Sequence, residues 1–255
     1  MSRVVAIANQ KGGVGKTTTA INLGAALAAF DRRIALVDFD PQANATSGLG
    51  FSGQKNGANA YDVLLGADPR EALQPTTFPN LWLIPSGRDL VGAEIELVGH
   101  EARERQLRNA LERIRGDFDY VFVDCPPSLS LLTVNALTAA DSVLVPLQTE
   151  YFALEGVRSL MESVERVRQS FNPELEIEGI LLTMYDDRTN LARQVSDDIR
   201  KHFGDLVYDT VIPRNVRLGE APSFGKPVLA YDIKSRGAEA YLALGRELLK
   251  RRGGR

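Results

Sequence analysis

The chain has 255 residues, of which 44% are hydrophobic and 25% are charged, and its formal net charge is −3. These values are ordinary for a globular protein and predict one α/β domain over residues 1–255. The single cysteine, Cys125, excludes an internal disulfide framework, and no apolar run could span a bilayer. The first motif begins too early to leave room for a signal peptide, so we expect a cytoplasmic protein.

Apolar runs alternate with helical patterns along most of the chain. In chain order, the predicted strands cover residues 4–8, 34–38, 81–85, 120–124, 142–146, 177–183 and 207–212. The predicted helices cover residues 17–29, 90–115, 154–171, 190–203 and 237–251. Such alternation is typical of a mostly parallel twisted sheet with helices on both faces. We therefore expect an α/β fold with ligands at the carboxyl ends of its strands.

A glycine-rich run, KGGVGKTT, lies between the first predicted strand and the first predicted helix. Glycines allow successive backbone N–H groups to surround an anion, and a helix N-terminus adds unpaired donors. Lys16 would reach the β- and γ-phosphates of a nucleotide, and the Thr17 hydroxyl would bind Mg²⁺. The predicted phosphate-binding residues are Lys11, Gly12, Gly13, Val14, Gly15, Lys16, Thr17 and Thr18. The usual first glycine of such loops is replaced by Gln10.

Three aspartates follow predicted strands. Asp38 and Asp124 end strands 34–38 and 120–124, and Asp40 comes two residues after the first of these. Because parallel strands end at the same edge of a sheet, we expect all three to approach the glycine-rich run. Asp124 is the candidate that holds Mg²⁺ through a water molecule. Asp38 would join the same metal shell or pair with the ammonium of Lys16.

Several motifs resemble those of one family. KGGVGKTT, with its two lysines, resembles the deviant Walker A loop of the ParA/MinD superfamily of P-loop ATPases. DFDPQ at residues 38–42 and DCPPS at residues 124–128 resemble the next two motifs of that superfamily. AEIEL at residues 93–97 and IPRNVR at residues 212–217 narrow the resemblance to the chromosomal ParA proteins, also called Soj. The resemblance extends from residue 3 to about residue 250.

The resemblance implies roles for individual residues and cofactors. It implies that ATP and Mg²⁺ are bound and that Asp40 positions and polarises the attacking water. It further implies that Lys11 crosses the interface of an ATP-bound homodimer to contact the partner's phosphates. Lys11, Lys16 and Asp40 are therefore the expected catalytic residues. The adenine would lie against Met184, Pro213 and Asn215, and the guanine motif Asn-Lys-x-Asp is absent.

The distribution of charge adds a nucleic-acid hypothesis. Residues 188–255 contain 14 Lys or Arg and 8 Asp or Glu, whereas the rest of the chain is acidic. Arg188 and Arg217 match DNA-contact positions of the Soj proteins, and Lys226, Lys234 and Arg236 lie in the same basic segment. We expect contacts to the phosphates of nonspecific double-stranded DNA and a nucleoid-associated protein. The Soj resemblance, and not the charge, implies a ParB-like centromere-binding protein that stimulates hydrolysis, releases the DNA and so drives chromosome or plasmid segregation.

Two alternatives share the two-lysine loop. A MinD-like membrane-associated ATPase that positions the division site would need an amphipathic C-terminal anchor. The basic end of the last predicted helix lacks the bulky apolar residues of such an anchor, so we expect no stable membrane association. An iron–sulfur reductase of the nitrogenase type is excluded, because each subunit of those enzymes supplies two cysteines and this chain has one.

Overall fold

Seven strands form one sheet in the computed structural model of the protein, which describes residues 2–51 and 57–253. The strands are β1 (Arg3–Ile7), β2 (Ile34–Asp38), β3 (Gln74–Pro75), β4 (Leu81–Ile84), β5 (Tyr120–Asp124), β6 (Ser142–Gln148) and β7 (Glu176–Thr183). Their order across the sheet is β3-β4-β2-β5-β1-β6-β7. Only β3 is antiparallel to its neighbour, so the predicted mostly parallel sheet is confirmed.

Helices cover both faces of the sheet. The longer helices are α1 (Lys16–Ala28), α7 (Leu131–Ala139), α8 (Ala153–Ser170), α9 (Asn190–Phe203) and α12 (Arg236–Gly253). The shorter ones are α2 (Asn44–Gly48), α3 (Ala60–Leu64), α4 (Pro69–Ala72), α5 (Leu90–Glu96), α6 (Gln106–Leu111), α10 (Val216–Glu220) and α11 (Val228–Tyr231). None of these described helices has the length and apolar character needed to traverse a bilayer.

Two hydrophobic cores separate these helices from the sheet. Alternate residues of a strand point to opposite faces, so neighbouring side chains of β5 enter different cores. Phe122 packs with residues of α1 and α12 in one core. Val121 and Val123 pack with residues of α6, α7 and α8 in the other. Each central strand is buried on both sides, as its continuous apolar sequence predicted.

The predicted strand at residues 207–212 is wrong. The structure contains only isolated bridges there, between Ile180 and Val207 and between Tyr185 and Pro213. Between the bridged residues Val207 and Pro213, the backbone N–H groups of Asp209 and Thr210 donate to the carboxylate of Glu247 in α12, at 2.8 and 2.9 Å. These donors are satisfied by a side chain from a distant helix, and a continuous ladder does not form.

The single helix predicted over residues 90–115 is also wrong. Helix α5 ends at Glu96, Ala102 adopts a left-handed conformation with φ 51°, and α6 begins only at Gln106. Asn135 of α7, a helix that was not predicted, fills the break. Its side chain accepts from the N–H of Leu107 and donates to the carbonyl of Arg103. The short antiparallel strand β3 was not predicted either.

Candidate nucleotide-binding site

The central strands bring the predicted site residues to one edge of the sheet. Strands β2, β5 and β1 are neighbours, and Asp38, Asp124 and Ile7 are aligned in register at their carboxyl ends. The glycine loop, residues 11–15, follows β1 directly and leads into α1 at Lys16. Three separate segments of the chain therefore meet at the edge where α/β sheets bind ligands.

The glycine loop has the backbone conformation that its sequence predicts. Gly13 and Gly15 have φ angles of 74° and 89°, in the left-handed region that side chains disfavour. The Thr183 hydroxyl at the end of β7 donates to the carbonyl of Val14 at 2.8 Å and anchors the middle of the loop. The first turn of α1 follows at once, so its unpaired N–H groups border the loop. This arrangement is suited to an anion.

Gln10, which replaces the usual first glycine, fixes the start of the loop to helix α8. Its side-chain amide donates to the Ser163 hydroxyl at 2.9 Å and accepts from the Ser159 hydroxyl at 3.0 Å. The neighbouring Asn9 side chain accepts from the N–H of Lys11 and donates to the carbonyl of Pro146. A glycine at position 10 could make neither of the two bonds to Ser159 and Ser163. Local sequence gives no signal of this anchor, because both serines lie about 150 residues away.

The two lysines of the loop have different surroundings. Lys16 is 7% exposed, and its ammonium donates to the backbone carbonyl of Lys11 at 3.1 Å. Burial lowers the pKa of Lys16, although the nearby charges of Asp124 and Asp40 act in the opposite direction. The side chain of Lys11 is about half exposed and forms an ion pair with Glu150, beyond the end of β6. The ammonium of Lys16 therefore lies inside the loop, and that of Lys11 lies on its outer surface.

The three predicted aspartates lie together. Asp38 and Asp124 are fully buried, and Asp40 is 7% exposed. Burial raises the pKa of Asp38 to about 6, against the hydrogen bonds that it accepts from Thr46 and Asp40. Burial, and then the charge of Asp38, raise the pKa of Asp124 well above its usual value. A group of buried carboxylates this close is costly unless a cation compensates it.

The residues present fit a magnesium ion. Both carboxylate oxygens of Asp124 are buried and have no hydrogen-bond partner in the part of the chain that the structure describes. The Thr17 side chain lies close enough to lower the pKa of this carboxyl. No three His, Cys, Asp or Glu side chains within residues 2–51 and 57–253 form an all-protein metal site. Mg²⁺ suits such a donor set, since it is usually held by one or two protein oxygens together with phosphate and water oxygens.

A cavity of about 230 Å³ adjoins the glycine loop. Gly15 and Thr18 line one side, and the predicted adenine contacts Met184, Pro213 and Asn215 line the other. Leu218, Gly219 and Tyr241, which were not among the predicted site residues, also line it. A cavity of about 490 Å³ lies around Arg200 and Arg252, but it does not border the loop. The smaller cavity is therefore the one that a nucleotide held by the loop could enter.

The five candidate DNA contacts are exposed, and four of them lie close together in the chain. Arg217 is on α10, and Lys226, Lys234 and Arg236 flank α11. Arg188 lies in the turn before α9 and three residues after Tyr185, which bridges to Pro213. Both arginines form ion pairs, Arg188 with Asp186, and Arg217 with Glu220 and Asp232. Among the described residues, no ion pair involves the other three.

Comparisons with known proteins agree with this site. Residues 2–177 match a family model described as an AAA domain. The chain is 60% identical over 252 residues to the chromosome partitioning protein ParA of Caulobacter vibrioides, covering 98% of this chain and 94% of that protein. It is 52% identical over 249 residues to the chromosome-partitioning ATPase Soj of Thermus thermophilus, covering 98% of this chain and 96% of that protein.

A solved structure has the same fold. It is described as cobyrinic acid a,c-diamide synthase from Mycobacterium smegmatis with bound ADP and magnesium. It is 42% identical, with a TM-score of 0.87, and the match covers 100% of this chain and 97% of that one. Together with the full-length similarity to ParA and Soj, this confirms the resemblance seen in the motifs. The chain belongs to the ParA/Soj family of P-loop ATPases.

Proposed function

We propose that this protein is a DNA-partitioning ATPase whose ATP-bound homodimer binds nonspecific double-stranded DNA and leaves it after hydrolysis. The observation that carries the proposal is the separation of the two loop lysines. Lys16 is buried within the loop, whereas Lys11 is exposed on its outer surface. Because Lys16 already supplies a cation inside the loop, a second cation is not needed there. The exposed Lys11 is instead well placed to reach a phosphate held by a second copy of the protein.

Family membership makes the protein an ATP hydrolase that uses Mg²⁺. When bound, Mg²⁺ neutralises charge on the β- and γ-phosphates. The backbone N–H groups of residues 12–18 and the ammonium of Lys16 would hold the phosphates, and Thr17 and Asp124 would hold the metal ion. Asp40 would orient the attacking water, since a carboxylate held 7% exposed beside the loop can accept its proton. The base would occupy the cavity lined by Met184, Pro213 and Asn215.

The position of Lys11 supports the proposed homodimer. In trans, its ammonium would stabilise charge on the partner's nucleotide, as an arginine finger does in other P-loop enzymes. The nearby Tyr151 and Phe152 are 78% and 65% exposed and would be covered in such a dimer. Large exposed aromatic side chains of this kind are common at interfaces between subunits. ATP would thus hold two subunits together, and hydrolysis would loosen them.

The DNA-binding surface would contain Arg188, Arg217, Lys226, Lys234 and Arg236. A dimer doubles this set of cations, so binding to phosphates becomes much stronger when ATP joins two subunits. No recognition helix accompanies the basic residues in the sequence, which favours contacts to the backbone over readout of bases. A ParB-like partner would stimulate hydrolysis and release the DNA, and the protein would be nucleoid-associated in the cytoplasm.

The MinD-like alternative is disfavoured by the packing of helix α12. Its apolar residues Tyr241, Leu244 and Leu248 are buried against the core on the α1 side. Its last basic residues are also engaged, Arg251 with Glu247 and Arg252 with Glu178. This helix therefore presents no free apolar face to a membrane within the described residues. The synthase named for the Mycobacterium structure is disfavoured because the more similar relatives are partitioning proteins.

One binding experiment tests the proposal. Affinity for a nonspecific DNA duplex is measured over a range of salt concentrations with ATP, with ADP and without nucleotide, each in the presence of Mg²⁺. We expect binding to require ATP and to weaken steeply as salt rises. Anionic vesicles serve as the comparison surface. ATP-dependent binding to vesicles but not to DNA would contradict the partitioning role and support the MinD-like alternative.

A further inference from the structure

The carboxylate of Asp38 is held from the far end of the loop that follows it. Its Oδ2 atom accepts two hydrogen bonds from Thr46, one from the backbone N–H and one from the hydroxyl, each at 2.7 Å. Its Oδ1 atom accepts from the N–H of Asp40 at 3.3 Å. Asp38, Asp40 and Thr46 are all buried. Asp38 and Thr46, eight residues apart, therefore close the intervening segment into a ring; we call this contact the Asp38–Thr46 clamp.

The hydroxyl of Thr46 also links this clamp to a third segment. While it donates to Asp38, it accepts from the N–H of Ser86 at 2.8 Å, just beyond β4. A hydroxyl can donate one hydrogen and accept at the same time, so both contacts are satisfied together. Thr46 therefore fixes the end of β2, the start of α2 and the segment after β4 relative to one another.

The clamped segment contains Asp40. Within it, the carboxylate of Asp40 accepts from the N–H of Gln42 at 2.9 Å, and its carbonyl accepts from the N–H of Ala43 at 2.9 Å. Ala43 has a φ angle of 54°, a left-handed conformation that is costly for alanine and must be held by its surroundings. The Asp38–Thr46 clamp supplies this restraint, since it secures both ends of the turn.

Asp38 and Asp124 thus differ although they are aligned in register. Asp38 accepts three hydrogen bonds from the protein, whereas Asp124 has no partner for either oxygen among the described residues. A carboxylate that accepts several N–H and O–H donors is already compensated. The carboxylate without partners is the one that a cation would compensate.

We propose that Thr46 is a positioning residue for ATP hydrolysis, which acts by holding Asp38 and thereby the orientation of Asp40, and that Asp38 is not a magnesium ligand. This assignment rests on the proposed role of Asp40 toward the attacking water. It departs from the expectation that Asp38 shares the metal shell. Because alignment of the water matters in the transition state and little in the bound state, Thr46 affects turnover more than ATP affinity.

The first test compares Thr46→Val with Thr46→Ser in single-turnover hydrolysis of ATP with Mg²⁺ by the full chain. Valine has nearly the shape of threonine and lacks the hydroxyl, whereas serine retains it. We expect Thr46→Val to lower the rate about tenfold to a hundredfold, with ATP affinity within about threefold of the wild-type value. Thr46→Ser should restore most of the rate. An equally slow serine variant, or wild-type rates in the valine variant, would overturn the proposal.

The second test measures the Mg²⁺ concentration at which binding of a non-hydrolysable ATP analogue is half-maximal, so it does not depend on activity. Asp124→Asn should raise this concentration about tenfold or more, and Asp38→Asn should leave it within about twofold while lowering turnover. A comparable increase in both variants would overturn the assignment of Asp38. Asp38→Asn also replaces Thr46→Val as the turnover test if the valine variant does not fold.

Asp40→Asn separates this proposal from the role on which it rests. Wild-type turnover in Asp40→Asn would overturn the role of Asp40 and the positioning role of Thr46 together. A slow Asp40→Asn with a fully active Thr46→Val would overturn the positioning role alone. The assignment is supported if Asp40→Asn and Thr46→Val both turn over slowly and Thr46→Ser has close to the wild-type rate.

Discussion

The ammonium of Lys16 donates to the backbone carbonyl of Lys11, so the second lysine of the loop is folded across the loop toward the first. The Lys11 side chain extends the other way, to Glu150. The motif therefore places two cations on opposite sides of one short turn. Each side can be tested separately, since one lysine is buried in the loop and the other is about half exposed.

The two lysines should give opposite results when they are replaced. Lys16→Ala should abolish ATP binding, or weaken it by about 100-fold, because it removes a charge-assisted contact to the phosphates. Lys11→Ala should keep ATP affinity within about threefold but lose the ATP-dependent dimer. Nucleotide titration and light scattering measure the two properties. ATP binding by Lys16→Ala at wild-type affinity would refute the assignment of the loop.

Asp124→Asn should stabilise the nucleotide-free protein at about pH 7.5 while it removes the response to Mg²⁺. The variant replaces a buried, unpartnered carboxylate, whose pKa burial raises, by a neutral amide of the same shape. We expect a gain of about 1–2 kcal/mol in the free energy of unfolding, as for other functional sites that hold uncompensated charge. Denaturant titration without nucleotide and without Mg²⁺ gives this value.

The pH dependence of the free energy of unfolding tests the same prediction about Asp124→Asn. The pKa of Asp38 is raised from 3.8 to about 6, and that of Asp124 is raised as well, so the folded protein binds these protons more tightly than the unfolded chain does. The contribution of Asp38 to stability is therefore complete below pH 3.8 and is lost as the pH rises through about 6, and that of Asp124 likewise declines as the pH rises above 3.8. Between about pH 4 and 7, Asp124→Asn should lose less stability than the wild type. Parallel curves for the two proteins would contradict this account.

Asp40→Ala should bind ATP normally and hydrolyse it very slowly, because the carboxylate is proposed to act on the water and not on the nucleotide. On the partitioning hypothesis, the variant should therefore persist as an ATP-bound dimer on DNA. Dissociation after a chase with competitor duplex is the measurement, with the wild type as the reference. Wild-type turnover in this variant would rule out the role of Asp40.

Reversing the charge of two arginines should remove DNA binding without affecting the dimer. Arg188→Glu combined with Arg217→Glu removes two exposed cations from the basic segment. We expect DNA affinity to fall about 100-fold at moderate salt, since several phosphate contacts are lost or opposed. Arg108→Glu with Arg113→Glu, exposed residues in and just after α6, changes the net charge equally and is the matched control. Equal loss in both double variants would show a general charge effect only.

Removing the partner of Arg188 should have the opposite effect. Asp186 holds the Arg188 guanidinium through two hydrogen bonds, of 2.8 and 2.7 Å, and these bonds keep the pKa of Asp186 at about 2. Asp186→Asn should free the guanidinium and raise DNA affinity about threefold to tenfold, because the carboxylate no longer competes with a DNA phosphate for Arg188. Asp187→Asn is the control, because Asp187 forms no ion pair within the described ranges. A DNA affinity in Asp186→Asn no higher than in Asp187→Asn would indicate that Arg188 does not contact DNA.

Much of the fold and the centre of the site could be predicted because they depend on short-range pattern. Central strands of a parallel sheet are apolar on both faces, so β2 and β5 were recognisable from a few residues each. A loop that needs left-handed backbone must place glycines there, and Gly13 and Gly15 have those angles. The aspartates at the ends of β2 and β5 converge because parallel strands end at one edge.

The features that could not be predicted from the sequence depend on contacts between residues far apart in the chain. Asn135 interrupts the helix predicted over residues 90–115, and Glu247 takes the backbone donors of the strand predicted at 207–212. The sequence made both Asp38 and Asp124 candidates for the metal shell, yet Thr46 donates hydrogen bonds to Asp38 and none to Asp124. Local pattern determines which backbone conformations are favourable, but which buried polar groups find partners depends on side chains that folding brings from elsewhere.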